Sequence, residues 1–285
     1  MTLHFTKVAV CGATGNLGVP TTQAIVAKGF KVTVLTRNIE SAKKKLNLPG
    51  VEYVVADYKD KKSMVAAFKG IEVVVCTFGF QAIGDQFLMI EAAKEAKVTR
   101  FYPCEFGTDN RKVEPGANVV VDLKLKVVEA VKASGMEWTG MINGMYMEWI
   151  LTTYVKKEEK KIEIVGSKDV KLTFTPLKAI GEFVAESINN PISKNDYVTV
   201  VGETMTFGEM VDVIEKETGI KYTTIYTPTS QLKAKIDGNP NKWATVMEQY
   251  DVICGTGGYC LKANQNKEFP SVKPQTLAEL IKLQK

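Results

Sequence analysis

Histidine is almost absent from this 285-residue chain, His4 being the only one. The five cysteines, Cys11, Cys76, Cys104, Cys254 and Cys260, include no CxxC pair. Thiolates and imidazoles therefore assemble no zinc-type ligand set, and no metal is expected. Cys11 and Cys76 sit in apolar, strand-like runs, where a thiol acts as a small hydrophobe, so structural disulfides are not expected either. Long hydrophobic runs are also missing: no stretch approaches the ~18 to 20 consecutive apolar residues of a bilayer span. Residues 1–7 lack a basic stretch leading into an apolar core, because glycines break the run that begins at Val8. The chain reads as cytoplasmic, with no membrane partner. Arginine is scarce, with Arg37, Arg100 and Arg111 standing beside 34 lysines. The net charge of +5 is spread along the chain. A mild excess of that kind suits anionic small molecules and makes no case for nucleic acid. The densest charged run, 156–161, is interrupted by Glu158 and Glu159 and reads as a solvated helix face or loop. A homodimer is compatible with this composition.

What is present is a βαβ rhythm. Apolar, β-branched runs at 8–11, 31–35, 51–55, 73–77, 100–102 and 138–142 read as parallel strands. Helical stretches lie between them, with Gly29, Gly70 and Gly135 where helix C-caps belong. The run Val73-Val74-Val75-Cys76 is uniformly apolar, as a strand covered on both faces must be. The fold class is α/β, a Rossmann-type doubly wound parallel sheet over residues 1–152. A smaller region over 153–285, packed on the first and partly interleaved with it, closes one side of a cleft. There the pattern loosens. A strand leading into a helix is expected over 172–188 and a helix over 207–218 ending at Gly219. Another is expected over 277–283 with Thr276 as its N-cap, while 223–258 shows no clear periodicity.

The first strand runs directly into Gly12-Ala13-Thr14-Gly15-Asn16-Leu17-Gly18, which opens a helix. Gly12, Gly15 and Gly18 permit a tight turn that brings backbone amides and the helix N-terminus against a pyrophosphate. Thr14, Asn16 and Leu17 fill the turn and are counted with them as dinucleotide-binding. An unoccupied tight turn is the plainer alternative. The second strand ends in Thr36-Arg37-Asn38. An acidic residue there would accept from a ribose 2′-hydroxyl and repel a 2′-phosphate, whereas a guanidinium binds the phosphate and stacks on adenine. NADPH is preferred over NADH. Lys45, with Lys43 and Lys44, is placed to add to that phosphate pocket, and a solvated helix face accounts for these lysines equally. Phe78 and Gly79 follow the fourth strand, where they line the cofactor groove.

The glycine spacing, Arg37, and the segment Tyr102-Pro103-Cys104-Glu105-Phe106-Gly107 together resemble the NmrA-like, isoflavone-reductase-like group of atypical short-chain dehydrogenases. Ala56-Asp57 leading into Phe68-Lys69-Gly70-Ile71-Glu72-Val73, then Thr204-Met205-Thr206-Phe207-Gly208-Glu209 and Phe269-Pro270-Ser271-Val272-Lys273-Pro274, follow the family in order. The resemblance thus covers nearly the whole chain. It implies an NADPH-dependent reductase of a small aromatic or enone-like substrate of phenylpropanoid or polyketide type. Glu105 and Asn143 complete its expected cofactor contacts. A lysine on the helix after Glu-Phe-Gly acts near the nicotinamide in the plant reductases, and Asp122-Leu123-Lys124-Leu125-Lys126 places Lys124 there. Read from the residues alone, Lys124 lies among valines and leucines. It is either a lysine whose pKa burial lowers, or one that stays charged and polarises a carbonyl or phenol. A snorkelling side chain is the plain alternative.

The chain departs from the family in two places: Val128 stands where a basic residue is usual, and Cys104 stands where serine is. A Tyr-x-x-x-Lys pair occurs only as Tyr58 and Lys62, away from the expected active-site face, and is taken as chance. Asn143-Gly144-Met145-Tyr146-Met147-Glu148-Trp149 follows the sixth strand, and Met145, Tyr146 and Trp149 suit a flat aromatic guest. A segment that simply packs the second region explains them as well. Two further readings stay open: an NmrA-like dinucleotide-binding redox sensor without turnover, and a quinone reductase of the same fold.

Overall fold

The computed structural model describes residues 4–283. Residues 1–3 and 284–285, counted above with the two regions, lie outside the described residues. The first half alternates β1 (Lys7–Cys11), α1 (Gly18–Ala27), β2 (Lys31–Thr36), α2 (Ile39–Leu46), β3 (Glu52–Val55), α3 (Lys61–Ala67), β4 (Val73–Cys76), α4 (Gln86–Glu95), β5 (Arg100–Tyr102), α5 (Val119–Ser134) and β6 (Glu137–Ile142). Every strand expected from the sequence forms, displaced by no more than a residue at either end. With β11 (Asp196–Thr199) from the second half at its edge, the seven-stranded sheet has the order β11-β6-β5-β4-β1-β2-β3, and every pairing in it is parallel. β1 and β4 are neighbours, and the chain winds outward from them in opposite directions. Such a reversal leaves a crevice at the carboxyl ends of those two strands, where open α/β sheets take their ligands.

The second half comprises β7 (Met145–Tyr146), α6 (Met147–Thr153), β8 (Val155–Lys156), β9 (Lys161–Val165), β10 (Lys171–Thr175), α7 (Leu177–Ser187), β11 (Asp196–Thr199), β12 (Glu203–Thr206), α8 (Phe207–Thr218), β13 (Thr223–Thr227), α9 (Thr229–Asp237), α10 (Val246–Gly255) and α11 (Leu277–Leu283). Two small sheets, β12-β10-β7 and β13-β9-β8, organise it. A separate apolar cluster including Ile162, Phe174, Phe207, Ile214 and Leu277 forms its core. α8 ends, as expected, at Gly219 in the left-handed region, and a Thr206/Glu209 capping box opens it. The charged run 156–161 is the exposed turn of the β8–β9 hairpin, so the loop reading holds and the helical one does not.

The stretch read as aperiodic carries β13, α9 and α10. α9 buries none of its residues, so it has no apolar stripe to reveal it. The chain also crosses back: α7 packs beside α1, and β11 joins the edge of the large sheet against β6.

Buried Arg100 fastens that returning segment. From β5 it donates through Nε and Nη2 to Glu137 Oε2 (3.0 and 2.7 Å), and through Nη1 to the Ile188 carbonyl and Ser193 Oγ (both 3.0 Å). Burial pushes the Glu137 carboxyl up, but Lys194 and Arg100 outweigh it and hold the carboxyl below the usual range. Arg100→Met leaves Glu137 with only the half-exposed Lys194 and strips two acceptors of their donor. It is expected to cost ~3–5 kcal/mol in chemical denaturation. A loss under about 1 kcal/mol would mean that packing alone holds the segment.

Candidate active site

The β1–β4 register pairs Cys11 with Cys76, which sets Gly12 beside Thr77. The Thr77 amide donates to the Cys11 carbonyl at 2.9 Å. Gly12 takes φ +81°, and a Cβ there would stand 2.9 Å from the Thr77 carbonyl oxygen. A Cβ on Gly18 would stand 2.1 Å from the Gly12 carbonyl oxygen. The Gly15 amide closes the turn onto that same oxygen at 2.9 Å. α1 then starts at Leu17 with no side-chain cap and no acid in its first turn. By contrast, α2 and α5 are capped by Asn38 and Asn118. Val19 and Thr21 already donate to the Gly15 and Leu17 carbonyls and Pro20 has no N–H, so the amides left to an anion are those just before them, at Asn16, Leu17 and Gly18. Thr14 is half-buried at the turn, Asn16 is exposed and Leu17 is buried below it. Arg37 follows β2 and is exposed, and Lys45 is exposed on the last turn of α2. A backbone cradle that side chains would fill, an uncapped helix end and a guanidinium fit a phosphorylated dinucleotide.

Tyr58 is nearer this turn than the sequence implied. Its hydroxyl donates to the Leu35 carbonyl (2.8 Å) and accepts from the Gly12 amide (3.4 Å), and its ring stands edge-on to Phe78 at 5.3 Å. Lys62 lies exposed on α3. The two form no catalytic pair; Tyr58 ties the glycine turn to β2.

Phe78 and Gly79 lead from the turn to a cavity of about 200 Å³. Lys124, Met145, Tyr146 and Trp149 all line it, so the structure gathers these residues from α5, β7 and α6. On α5 the buried positions are Val120, Val121, Val127, Val128 and Val131. Lys124 falls in that same stripe, where the helical period calls for an apolar residue, while Lys126 points to solvent. Val128 is core. The Lys124 ammonium donates to the Glu105 carbonyl at 2.6 Å. Burial works against its charge, but the acidic groups facing it, Tyr250, Cys104 and Glu105, outweigh burial and raise its pKa above the ordinary lysine value. Of the two states open from sequence, Lys124 takes the charged one.

Cys104 lines the cavity and gives its Sγ–H to the Phe78 carbonyl at 3.1 Å. Burial pushes the thiol up to about 11, against the pull of Lys124, so it is neutral at physiological pH. The Tyr146 hydroxyl donates to the Phe106 carbonyl at 3.3 Å, which turns its ring to the cavity.

Glu105 and Asn143 are placed differently from the other expected cofactor residues. The Glu105 carboxylate is buried beneath the loop and accepts from Asn110 Nδ2 at 3.1 Å. Burial raises its pKa, with Lys124 opposing. Asn143 is fully buried, its amide and that of Gly144 donating to the Gly107 carbonyl. Neither side chain lines the cavity. Both brace the loops that do.

Sequence reasoning missed one wall altogether. Met247, Tyr250 and Asp251 face the cavity from α10, joined by Tyr154 and Tyr259. The first three fall at i, i+3 and i+4, one helical face, and that spacing was the available signal.

The fold and the adjoining turn and cavity define a Rossmann-type α/β protein with a small-molecule cleft. The NmrA-like family model matches residues 5–281, and the chain belongs to that family. It is 30% identical over 253 residues to phenylcoumaran benzylic ether reductase TP7 of Nicotiana tabacum, and 31% identical over 253 residues to eugenol synthase 2 of Clarkia breweri. Each alignment spans 82% of both chains. Among solved structures it superposes on AtPrR2 with NADP+ and (+)pinoresinol at a TM-score of 0.85, with 25% identity and 99% of each chain covered.

Proposed function

We propose that this chain is an NADPH-dependent reductase of a small aromatic, phenylpropanoid-type compound. One observation carries the reading: a charged lysine, set where the helix stripe calls for an apolar residue, opens into an aromatic-lined cavity that adjoins a phosphate-type glycine turn. Gly12, Gly15 and Gly18 would shape the turn, with the amides of Asn16, Leu17 and Gly18 at the mouth of α1 holding the pyrophosphate, and Arg37 would hold the 2′-phosphate. Bound NADPH supplies the hydride. The chain's own residues do the rest: the aromatic wall orients a flat guest and excludes water, and Lys124 holds a proton against the substrate oxygen that gains charge. Residues 1–152 are the cofactor-binding part and 153–285 the substrate part, with α7 and β11 returned to the first. Five free cysteines, four of them buried, suit the cytoplasm.

The test is calorimetric titration with NADPH and NADH, followed by NADPH absorbance while phenylpropanoids, enones and quinones are added. Preferential NADPH binding with oxidation by phenylpropanoids supports the reading. Oxidation by quinones alone selects the quinone reductase, and binding without oxidation selects the sensor. Arg37→Ser is expected to weaken NADPH binding ~10- to 100-fold through lost charge-assisted hydrogen bonds. NADH binding should be nearly unchanged, and equal losses for both cofactors would remove Arg37 from the 2′-phosphate.

A further inference from the structure

One charged group in the cavity is not used by this chemistry. Asp251 projects from the middle of α10 into the wall formed with Tyr154, Tyr250 and Tyr259. Its Oδ1 accepts from the Tyr154 hydroxyl across a long 3.4 Å. Among the described residues no salt bridge joins Asp251 to a cation, and its one hydrogen-bond donor is that phenol. A half-buried carboxylate without a cation is costly unless hydrogen-bond donors satisfy it, and one weak phenolic bond leaves acceptor capacity facing the ligand space.

Resting on the reading of this cavity as the substrate site, we propose that Asp251 is a specificity determinant. It accepts a hydrogen bond from a hydroxyl on the substrate's aromatic ring at the wall that α10 forms. The carboxylate already binds one phenol of its own chain through Oδ1, and a ring hydroxyl of the guest presents the same donor to its other lone pairs. An ammonium guest is the poorer match, because the cavity already holds the Lys124 cation.

Burial, with Glu248 adding and Tyr154 opposing, pushes the Asp251 carboxyl up to about 6. The titratable groups around it are Tyr154 at the end of α6, Glu248 and Cys254 on its own helix, and Tyr259 beyond it. Glu248 is in turn paired with Lys235 of α9. A protonated Asp251 is a poorer acceptor than its carboxylate, so recognition of the hydroxyl is expected to weaken as the pH falls through about 6.

The experiment measures binding to the full chain loaded with NADP+, which permits no turnover, using 4-hydroxystilbene and 4-methoxystilbene as probes. Wild type should prefer the hydroxyl compound by ~10- to 100-fold. Asp251→Asn should abolish most of that preference and its pH dependence, whereas Lys124→Met should keep both. Tyr154→Phe, which leaves the carboxylate in place, should retain the preference and serves as the folded control. Preference retained in Asp251→Asn, or lost only in Lys124→Met, overturns the proposal, as does equal binding of both probes by wild type. Absence of NADPH oxidation with the discrimination intact would remove the reductase reading and leave the role of Asp251 standing.

Discussion

Lys124→Met is expected to lower kcat ~10²- to 10⁴-fold, the range for loss of a positioned proton donor. NADPH affinity should change little, because the 2′-phosphate and pyrophosphate are held elsewhere. Methionine is the informative replacement. It restores an apolar residue to a stripe otherwise made of Val120, Val121, Val127 and Val128, so the helix keeps its packing. What disappears is the ammonium and its 2.6 Å bond to the Glu105 carbonyl. The pH profile checks the same assignment. The pKa of Lys124 is raised, and the acid form of a group is populated below its pKa. Wild-type kcat should therefore stay flat from mildly acid to mildly alkaline pH and fall only beyond the ordinary lysine range. Burial pushes the Cys104 thiol up to about 11, so Cys104→Ser separates its contribution from that of Lys124. A loss of affinity as large as the loss of turnover would instead make Lys124 a binding or folding residue.

The parts legible in the sequence were those whose physics is local. A strand covered on both faces reads as an unbroken apolar run, which is why β4 was recognisable from four residues. Glycine between a strand and a helix marks a turn that a side chain would block, and the distances at Gly12 and Gly18 bear that out. Lys124 was picked out by the resemblance to the plant reductases, and its place in a buried stripe of α5 is what the structure adds to that reading. The α10 wall is built otherwise. Its cavity face mixes Met247, Tyr250 and Asp251, so no hydrophobic contrast separates that face from the rest. Tyr58 was misplaced because its partners, Leu35 and Gly12, are brought to it by the sheet. The return of β11 to β6 is likewise a matter of topology, and no run of residues announces it.

Gly18→Ala is expected to weaken cofactor binding severely. The added Cβ would fall 2.1 Å from the Gly12 carbonyl oxygen and 2.7 Å from the Ala13 carbonyl carbon, both backbone atoms that no rotamer change can relieve. The turn must therefore open, and the first thing to give is the Gly15 amide's bond to the same Gly12 oxygen. Amides that converge on a pyrophosphate then diverge. Losing two charge-assisted hydrogen bonds at ~1.5–3 kcal/mol each corresponds to ~10²- to 10⁴-fold in NADPH affinity. Gly116 supplies the control that separates strain from obstruction. It takes φ +82°, yet a Cβ there would meet nothing within 4 Å. Gly116→Ala should cost ~1–2 kcal/mol of stability through its left-handed backbone and leave NADPH binding intact. Calorimetric titration with NADPH, run beside circular dichroism on both variants, reads the two effects separately. If folded Gly18→Ala binds NADPH as wild type does, the glycine turn is not the phosphate site. If Gly116→Ala loses binding as well, strain anywhere in the chain suffices and the argument from close approach fails.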